Sequence, residues 1–489
     1  MIVISAANNT NGEFMYQTII FALALATVAA LTYFFSNKGE LFEKILKCMT
    51  VAFCVIGFSR MLLSDAFVLT INGGWFENAF VEKKDIFHSI VRFGYQSCYA
   101  VLATAVFFDT RFTKNMASYV CLPFAILSTV CFDDYMEYFL MPEGRGFDLP
   151  TALRYIIFAA ELVLAVAIPI LLCIRRKHYI NVKSFAEWRD LILGMPFVLL
   201  ATMSVYIPQS VFGFNSAEQR AFDTFHLVWI GAMLVEILAL YYIFRFKDRN
   251  AREALLSFLT IVLLFHSNSI FQMGFIIKRL PIQLCSIASF FYFICINFKL
   301  EKMFHFCFLA NIVGALIAIL MPDFSAGDIS YWNLHYIYEH TYVLMIPALA
   351  LGLRLFPRLK LRSLFHFWVG YTSYFLFAMV LGTIINVNSE VLGETVNFFY
   401  MFDIEFAIDY FPFLTFAKNI TITIRDFKLY PVIIVIIYFA FQLLCLVFHL
   451  LVKLFHKMED DHLALRLSGI EIYEQLSGKE SRRPKAFID

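Results

Sequence analysis

Apolar segments of helical length recur along almost the whole of this 489-residue chain, and they constrain its fold more than any other feature. A helix needs about 20 predominantly apolar residues to cross the hydrocarbon core of a bilayer. The pattern therefore predicts an all-α, polytopic integral membrane bundle of about 13 transmembrane helices. The thirteen segments lie near residues 16–36, 44–64, 91–109, 115–132, 151–174, 190–208, 222–245, 252–271, 281–298, 304–321, 332–353, 364–386 and 429–454.

The composition agrees with a membrane protein and argues against several other classes. Hydrophobic residues make up 61% of the chain and charged residues 16%, whereas a soluble domain is about 45–50% apolar and about a quarter charged. The formal net charge of +1 gives no overall field that would attract nucleic acid. The ten cysteines show no CxxC pair or other metal-ligand spacing. We therefore expect no metal site, no cofactor and no disulfide framework.

The positions of basic residues predict the orientation of the helices, because Lys and Arg concentrate in cytoplasmic loops. Every second connection is basic, and several of the connections between them are acidic or mixed. We expect a multi-pass protein of the cell membrane with its N-terminus outside and its C-terminus cytoplasmic, as an odd number of helices requires. The basic connections contain Lys38, Lys44, Arg111, Lys114, Arg175–Lys183, Arg245–Arg252, Lys299, Lys302 and Arg354–Arg362, and the acidic ones contain Asp133–Asp148 and Asp323–Asp328.

The two halves of the chain show weak internal similarity. Residues 95–116 align with residues 282–303, which places Cys98 on Cys285, and a similar alignment joins the first helix of each half. Six helices per half is an even number, so the two copies would have parallel topology. The alignment predicts a 6+6 parallel duplication followed by one further helix.

Polar residues of the second half gather at one predicted depth, toward the external side of the membrane. An ionisable or polar side chain at such a depth needs a partner or a watery cavity, which makes it a candidate for a functional site. The main candidates are Cys285, His226, His266, His335 and His340, and the further pocket candidates are Gln283, Asn311 and Glu339.

Three interpretations of this cluster are open. In the first, the polar side chains satisfy one another and hold the helices together. In the second, imidazole and thiolate groups bind zinc, although the candidates are dispersed and Glu339 is the one adjacent carboxylate. In the third, the Cys285 thiolate attacks an acyl carbon and a histidine takes and returns the proton. The dispersed spacing argues against zinc, in agreement with the expectation of no metal site, and the residues alone do not choose between the other two.

Several motifs of the second half resemble the transmembrane protein 164-like family, in particular its bacterial branch. The resemblance covers roughly residues 215–455, about half of the chain. The motifs are FDTFHL at 222–227, LPIQLCSIASF at 280–290, NIVGALIAILMPDF at 311–324, YWNLHYIYEHTYVLMIP at 331–347 and VNFFYM at 396–401.

The resemblance implies a membrane-embedded lipid acyltransferase that moves a fatty acyl chain onto a lysophospholipid through an acyl-cysteine intermediate. Cys285 would be the nucleophile and His340 the general base and acid. His226 would line the same cavity. The partners would be membrane lipids, among them a lysophospholipid and an acyl donor.

The first half lacks an equivalent of the proposed base, because Leu162 stands at the level of His340 in the internal alignment. We therefore expect three parts with different roles. Residues 1–212 would form a degenerate N-terminal six-helix half, residues 213–457 the family-like C-terminal helical half, and residues 458–489 a cytoplasmic tail.

Two non-enzymatic functions are the alternatives. A transporter or lipid-handling protein with no covalent chemistry would fit two parallel six-helix halves. Against it, the acidic residues deep in predicted spans, Glu161 and Glu236, have no evident basic partner in the sequence. A scaffold for cell-envelope proteins is the other alternative, with the segment 387–428 as its contact surface.

Overall fold

The computed structural model describes most of the chain. Several acidic residues used to predict the orientation, such as Asp134, Asp148, Asp323 and Asp328, lie outside the described residues. The described residues are 13–64, 83–133, 136, 150–176, 185–202, 221–273, 277–322, 331–402, 404–405, 408 and 412–477.

The described part of the chain is almost entirely helical, as its apolar segments predict, and a helix overlaps each of the thirteen segments. The helices are α1 (Glu13–Phe35), α2 (Gly39–Ser64), α3 (Lys83–Phe107), α4 (Arg111–Met116), α5 (Leu122–Val130), α6 (Thr151–Arg176), α7 (Phe185–Ala201), α8 (Thr224–Phe244), α9 (Arg249–Asn268), α10 (Leu284–Asn297), α11 (Glu301–Leu320), α12 (Tyr331–Gly352), α13 (Leu361–Val387) and α14 (Pro431–Ser477).

Shorter elements complete the described chain. A π-helical turn, Ala117–Cys121, joins α4 to α5, so that the two form one interrupted helix. Two short strands, β1 (Ile422–Ile424) and β2 (Phe427–Leu429), pair as an antiparallel hairpin. The remaining short pieces are the 3-10 helices Ser269–Met273, Ile277–Arg279, Phe398–Tyr400 and Pro412–Asn419 and the single helical turn Ser389–Leu392.

Seven helices in the described part of the chain are long and apolar enough to cross a membrane, namely α1, α6, α8, α9, α11, α13 and α14. The prediction of an all-α, multi-pass membrane protein is therefore confirmed. Helix α10 is also apolar but has only 14 residues. The count of about 13 crossings stays a prediction.

The helices form two compact units that interleave along the sequence. The first unit consists of residues 1–225, 253–276 and 324–339, and the second of residues 226–252, 277–323 and 340–489. Helix α12 therefore contributes its first residues to one unit and the rest, from His340 on, to the other. The three-part division made from the sequence stays a prediction.

The first unit contains a buried ion pair between α2 and α6. Arg60 Nε donates to Oε2 of Glu161 at 2.5 Å, and Arg60 Nη2 donates to Oε1 at 3.2 Å. The hydroxyls of Tyr95 and Tyr99 on α3 donate to the same carboxylate, and all four side chains are buried. The expectation that Glu161 lacks a basic partner is therefore wrong. Its partner lies on another helix, 101 residues earlier in the chain, and no local spacing indicates such a pairing.

The second unit is organised around α11, which packs against α10, α13 and α14. Helix α14 has 47 residues, so it is about 70 Å long and extends well beyond a hydrocarbon core of about 30 Å. Arg358 Nη1 donates to Asp460 at 2.6 Å, and its Nη2 donates to Glu459 at 2.7 Å. These two carboxylates, Asp460 above all, raise the pKa of the Arg358 guanidinium. The predicted start of the tail at residue 458 falls inside this continuous helix.

Candidate functional site

Cys285 is the second residue of α10 and lies in the first turn of that helix. The backbone N–H groups of a first turn have no partner within the helix, and they favour negative charge close to them. The Cys285 side chain is partly exposed, whereas Cys295, Cys307 and Cys445 of the same unit are buried. Its position therefore suits a cysteine that reacts as a thiolate.

Gln283, which precedes α10, fixes the start of the helix to a loop. Its side-chain amide donates to the carbonyl oxygen of Asn397 at 3.1 Å and accepts from the backbone N–H of Phe399 at 3.2 Å. Phe399 has φ 55°, a left-handed conformation that is unfavourable for a bulky residue. The two hydrogen bonds stabilise this loop next to Cys285. Gln283 thus holds the loop at Asn397–Phe399 against the start of α10.

The two hydrogen bonds of the Gln283 side chain predict an effect on stability. Gln283→Leu removes both hydrogen bonds and leaves the polar groups of the strained loop without partners. We expect the free energy of unfolding to fall by about 1–3 kcal/mol, measured by denaturation in mixed detergent micelles. Gln442→Leu on α14 is the matched control, because the Gln442 amide nitrogen makes no hydrogen bond within the described chain. Equal stability of the two variants would contradict the stabilisation of the loop by Gln283.

Two tyrosine hydroxyls border Cys285. Tyr374 on α13 donates to the carbonyl oxygen of Ile282, three residues before the cysteine. Tyr292 lies seven residues after Cys285 and therefore on the same face of α10. Both hydroxyls are close enough to interact electrostatically with the sulfur. The cysteine thus lies between polar groups, although its helix is apolar.

A tight contact fixes the level of α10 relative to α11. Leu284 packs against Gly314, where a Cβ atom would lie 3.0 Å from a Leu284 methyl group. Asn311 lies three residues before Gly314, which is about 4.5 Å along the axis of α11. Cys285 follows Leu284 directly. Cys285 and Asn311 therefore lie at similar levels of the second unit.

A hydrogen bond fixes the level of α10 relative to α12. The Tyr292 hydroxyl donates to the carbonyl oxygen of Val343 at 2.9 Å. His340 lies three residues before Val343, about 4.5 Å along α12, and Cys285 lies seven residues before Tyr292, about 10 Å along α10. The tyrosine side chain leans toward the start of its own helix and takes up part of the difference. His340, which is buried, therefore lies within about one helical turn of the level of Cys285.

His226 connects α8 to the end of α11. Its Nε2 donates to the carbonyl oxygen of Ile319 at 2.7 Å, one of the last four carbonyl groups of α11, which have no partner within the helix. The ring of Trp229 lies 5.5 Å from the His226 ring, and its Nε1 donates to Thr341 Oγ1 at 2.9 Å. Through these contacts α8 packs against the residue that follows His340.

His266 and His335 form a separate pair within the first unit. Their rings stack with centroids 4.6 Å apart, and His266 Nε2 donates to the carbonyl oxygen of His335 at 3.1 Å. His266 also borders a cavity of about 10 Å³ with Gln96 and Thr202, about the size of one water. Glu339 is buried in the same unit. These contacts support interhelical hydrogen bonding as the role of His266.

The zinc interpretation gains no support from the structure. Among the residues that the structure describes, no three or more His, Cys, Asp or Glu side chains are grouped so that they could hold a metal ion. Cys285 lies beside tyrosines, and His226 already donates to a backbone carbonyl.

The comparison with protein families finds a match in the second half of the chain. The sequence model of the TMEM164 family matches residues 221–453. We refer to this stretch, which is similar to that family, as the TMEM164-family region. The resemblance found in its motifs is therefore confirmed, and the region covers a little under half of the 489 residues. No curated protein and no solved structure matches the chain significantly.

The TMEM164-family region contains every predicted site residue, but the structure divides these residues between the two units. One set belongs to the second unit and includes the proposed nucleophile and base. The other set belongs to the first unit. The second unit contains Cys285, His340, His226, Gln283 and Asn311, and the first contains His266, His335 and Glu339.

Sequence reasoning missed several polar residues that the structure places beside Cys285 or beside Glu161. Tyr292 could have been found, because a spacing of seven residues from Cys285 returns to the same face of a helix. Arg60 also had a signal, since an arginine inside a predicted span indicates a buried partner. Tyr374 had none, because it comes from a distant helix outside the motifs of the TMEM164-family region quoted above.

Proposed function

We propose that the TMEM164-family region transfers a fatty acyl chain to a lysophospholipid, with Cys285 as nucleophile and His340 as general base and acid. The observation that carries the proposal is the partly exposed cysteine in the first turn of α10. A helix start favours the thiolate. The similar levels of Cys285 and His340 within one unit support the pair, and so does the match of the region to the TMEM164 family.

The proposed reaction has two transfers of one acyl group. His340 takes the thiol proton, and Sγ of Cys285 attacks the carbonyl carbon of a donor ester, such as a diacyl phospholipid. The donor alkoxide leaves with the proton from His340, so that a thioester and a lysophospholipid remain. His340 then takes the proton of the acceptor hydroxyl, whose oxygen attacks the thioester. The thiolate leaves and is protonated again by His340.

Trapping the thioester tests this proposal. Purified protein is incubated with mixed phosphatidylcholine, phosphatidylethanolamine and phosphatidylglycerol vesicles that carry isotopically labelled acyl chains, without an acceptor. We expect one label per active protein on the peptide that contains Cys285. Neutral hydroxylamine should remove that label, because it cleaves thioesters faster than oxygen esters.

Cys295→Ala is the matched control, since Cys295 is a buried cysteine on the same helix. It should gain label as the wild type does, whereas Cys285→Ala should gain none. Label retained by Cys285→Ala, or a wild-type protein that gains no label, would contradict the proposal.

We also propose the topology expected from the sequence, with thirteen crossings, a 6+6 duplication, an external N-terminus and a cytoplasmic C-terminus in the cell membrane. The order of helices supports the duplication, since α4 and α5 form one interrupted helix and each half then has six. Packing supports it too. Helix α3 contacts α4 and α5, as α10 contacts α11, and α4 contacts α7, as α11 contacts α13.

A transporter or lipid-handling protein without covalent chemistry is the second candidate, and the Arg60–Glu161 pair favours it. Charged residues inside a membrane mark ion or proton pathways in many transporters. The two candidates differ in their dependence on Cys285. A transporter would still move labelled lysophospholipid across a vesicle membrane after Cys285→Ala.

A further inference from the structure

Asn311 lies in the middle of α11 with its side chain fully buried. Neither its amide oxygen nor its amide nitrogen makes a hydrogen bond within the part of the chain that the structure describes. The Tyr292 hydroxyl lies beside the amide and its oxygen can accept from it, while the hydroxyl hydrogen goes to the carbonyl oxygen of Val343 at 2.9 Å. Even with the Tyr292 hydroxyl as its neighbour, the Asn311 amide keeps at least one N–H that bonds to no described residue.

Burying an amide without a partner is unfavourable, because donor and acceptor both give up hydrogen bonds to water. Another buried amide of the second unit has its hydrogen bonds satisfied by the backbone. Asn386 exchanges two hydrogen bonds of 2.8 Å with the backbone of Val396. Gln442 and His449 on α14 also have unbonded side-chain nitrogens. Asn311 differs from them in its position, because it lies at a level of the second unit similar to that of Cys285.

We propose that Asn311 Nδ2 donates a hydrogen bond to the oxygen of the acyl carbonyl that reacts at Cys285, so that Asn311 is a further catalytic residue. The inference rests on the proposed function. Asparagine side chains serve as oxyanion donors in other acyl-transfer sites, where they stabilise the charge that develops on the carbonyl oxygen. Such a donor must be present before the substrate arrives, which explains an amide N–H that the described part of the chain leaves unbonded.

The packing of α10 on α11 supports this role. Gly314 lacks a Cβ atom and so allows Leu284 to approach α11 closely. That contact brings the first turn of α10, which carries Cys285, to within about one turn of Asn311 along α11. A bulkier residue at position 314 would push the cysteine away from the amide.

In the proposed step, the bond from Cys285 Sγ to the carbonyl carbon forms while the carbon–oxygen π bond breaks. The electron pair moves to the carbonyl oxygen, which accepts the hydrogen bond from Asn311. The intermediate collapses when the π bond forms again and the donor alkoxide leaves with the proton held by His340. Asn311 keeps both of its amide protons throughout.

Two substitutions test the role. Asn311→Leu removes the donor with little change in volume, and Asn311→Ser retains a small donor. The rate of Cys285 acylation is measured with the labelled phospholipid vesicles described above, and thermal stability is measured in parallel. We expect Asn311→Leu to slow acylation by about 10²–10³-fold with little change in KM and with equal or higher stability. Asn311→Ser should recover part of the rate.

The outcomes separate the inference from the proposed function. Unchanged acylation in Asn311→Leu, in a protein whose activity is lost in Cys285→Ala, overturns the inference alone. Activity that survives Cys285→Ala overturns the proposed function. A loss of stability in Asn311→Leu would mean that an ordered water completes a structural hydrogen bond, and that result also overturns the inference.

Discussion

Replacing Cys285 by alanine is expected to reduce acyl transfer by about 10³-fold or more, because the variant has no group that can carry the acyl chain between donor and acceptor. The transfer of labelled acyl chains from phospholipid to lysophospholipid in vesicles measures this rate. Folding should be unaffected, since the side chain is partly exposed and its loss leaves no fully buried cavity. Thermal stability of the purified variant checks that expectation.

Two further variants make the result specific. His340→Gln should also lower the rate by about 10²–10⁴-fold. The double variant should be little worse than Cys285→Ala, because residues that act as a unit are strongly non-additive. Cys295→Ala should retain the wild-type rate. Additive losses from Cys285→Ala and His340→Gln would show that the two residues act in separate steps and would contradict the proposed pair.

Replacing Glu161 by glutamine is expected to lower the free energy of unfolding by about 3–5 kcal/mol. The substitution removes one charge of a buried pair, so the Arg60 guanidinium loses its ion pair with Glu161 while it stays buried next to Tyr99 and Phe158. Glutamine keeps a carbonyl oxygen that still accepts from a tyrosine hydroxyl, so the main effect is electrostatic. Unfolding in mixed detergent micelles, followed by near-ultraviolet circular dichroism, measures the change.

A double variant distinguishes the effect of the lost charge from the effect of the changed side chain. The double variant Arg60→Met/Glu161→Gln removes both charges and should recover most of the stability, as replacement of other buried ion pairs does. Glu236→Gln is the matched control, because Glu236 is partly exposed and forms no ion pair among the described residues. It should leave stability unchanged or slightly higher. Equal destabilisation by Glu161→Gln and Glu236→Gln would mean that the pair does not stabilise the first unit.

The helices could be predicted from the sequence because each one carries its own signal. A run of apolar residues of bilayer length indicates a span wherever it occurs, and each predicted segment overlaps a helix. The start of α10 was also close to its predicted position. Pro281 marks the approach, and the helix begins at Leu284, so Cys285 lies in the first turn. These features depend on local sequence only.

The side-chain pairs could not be predicted, because they depend on how distant helices pack. Glu161 finds Arg60 on another helix 101 residues away, and the Gln283 amide reaches a loop more than 100 residues later. The predicted gathering of histidines at one depth did not distinguish His226, which donates to the end of α11, from His266, which stacks on His335. The depth of a residue along a helix follows from its number. The direction of its side chain relative to other helices depends on how the helix packs against them.

The unbroken course of α14 has a mechanical consequence. A single rigid rod from Pro431 to Ser477 joins the lipid phase to the aqueous phase without a hinge, and Arg358 holds it at Asp460. A tilt of about 10° in the bilayer would move the far end by about 7 Å, since about 40 Å of the helix lies beyond a hydrocarbon core of about 30 Å. Whatever binds that end could sense, or bias, the arrangement of helices around α11.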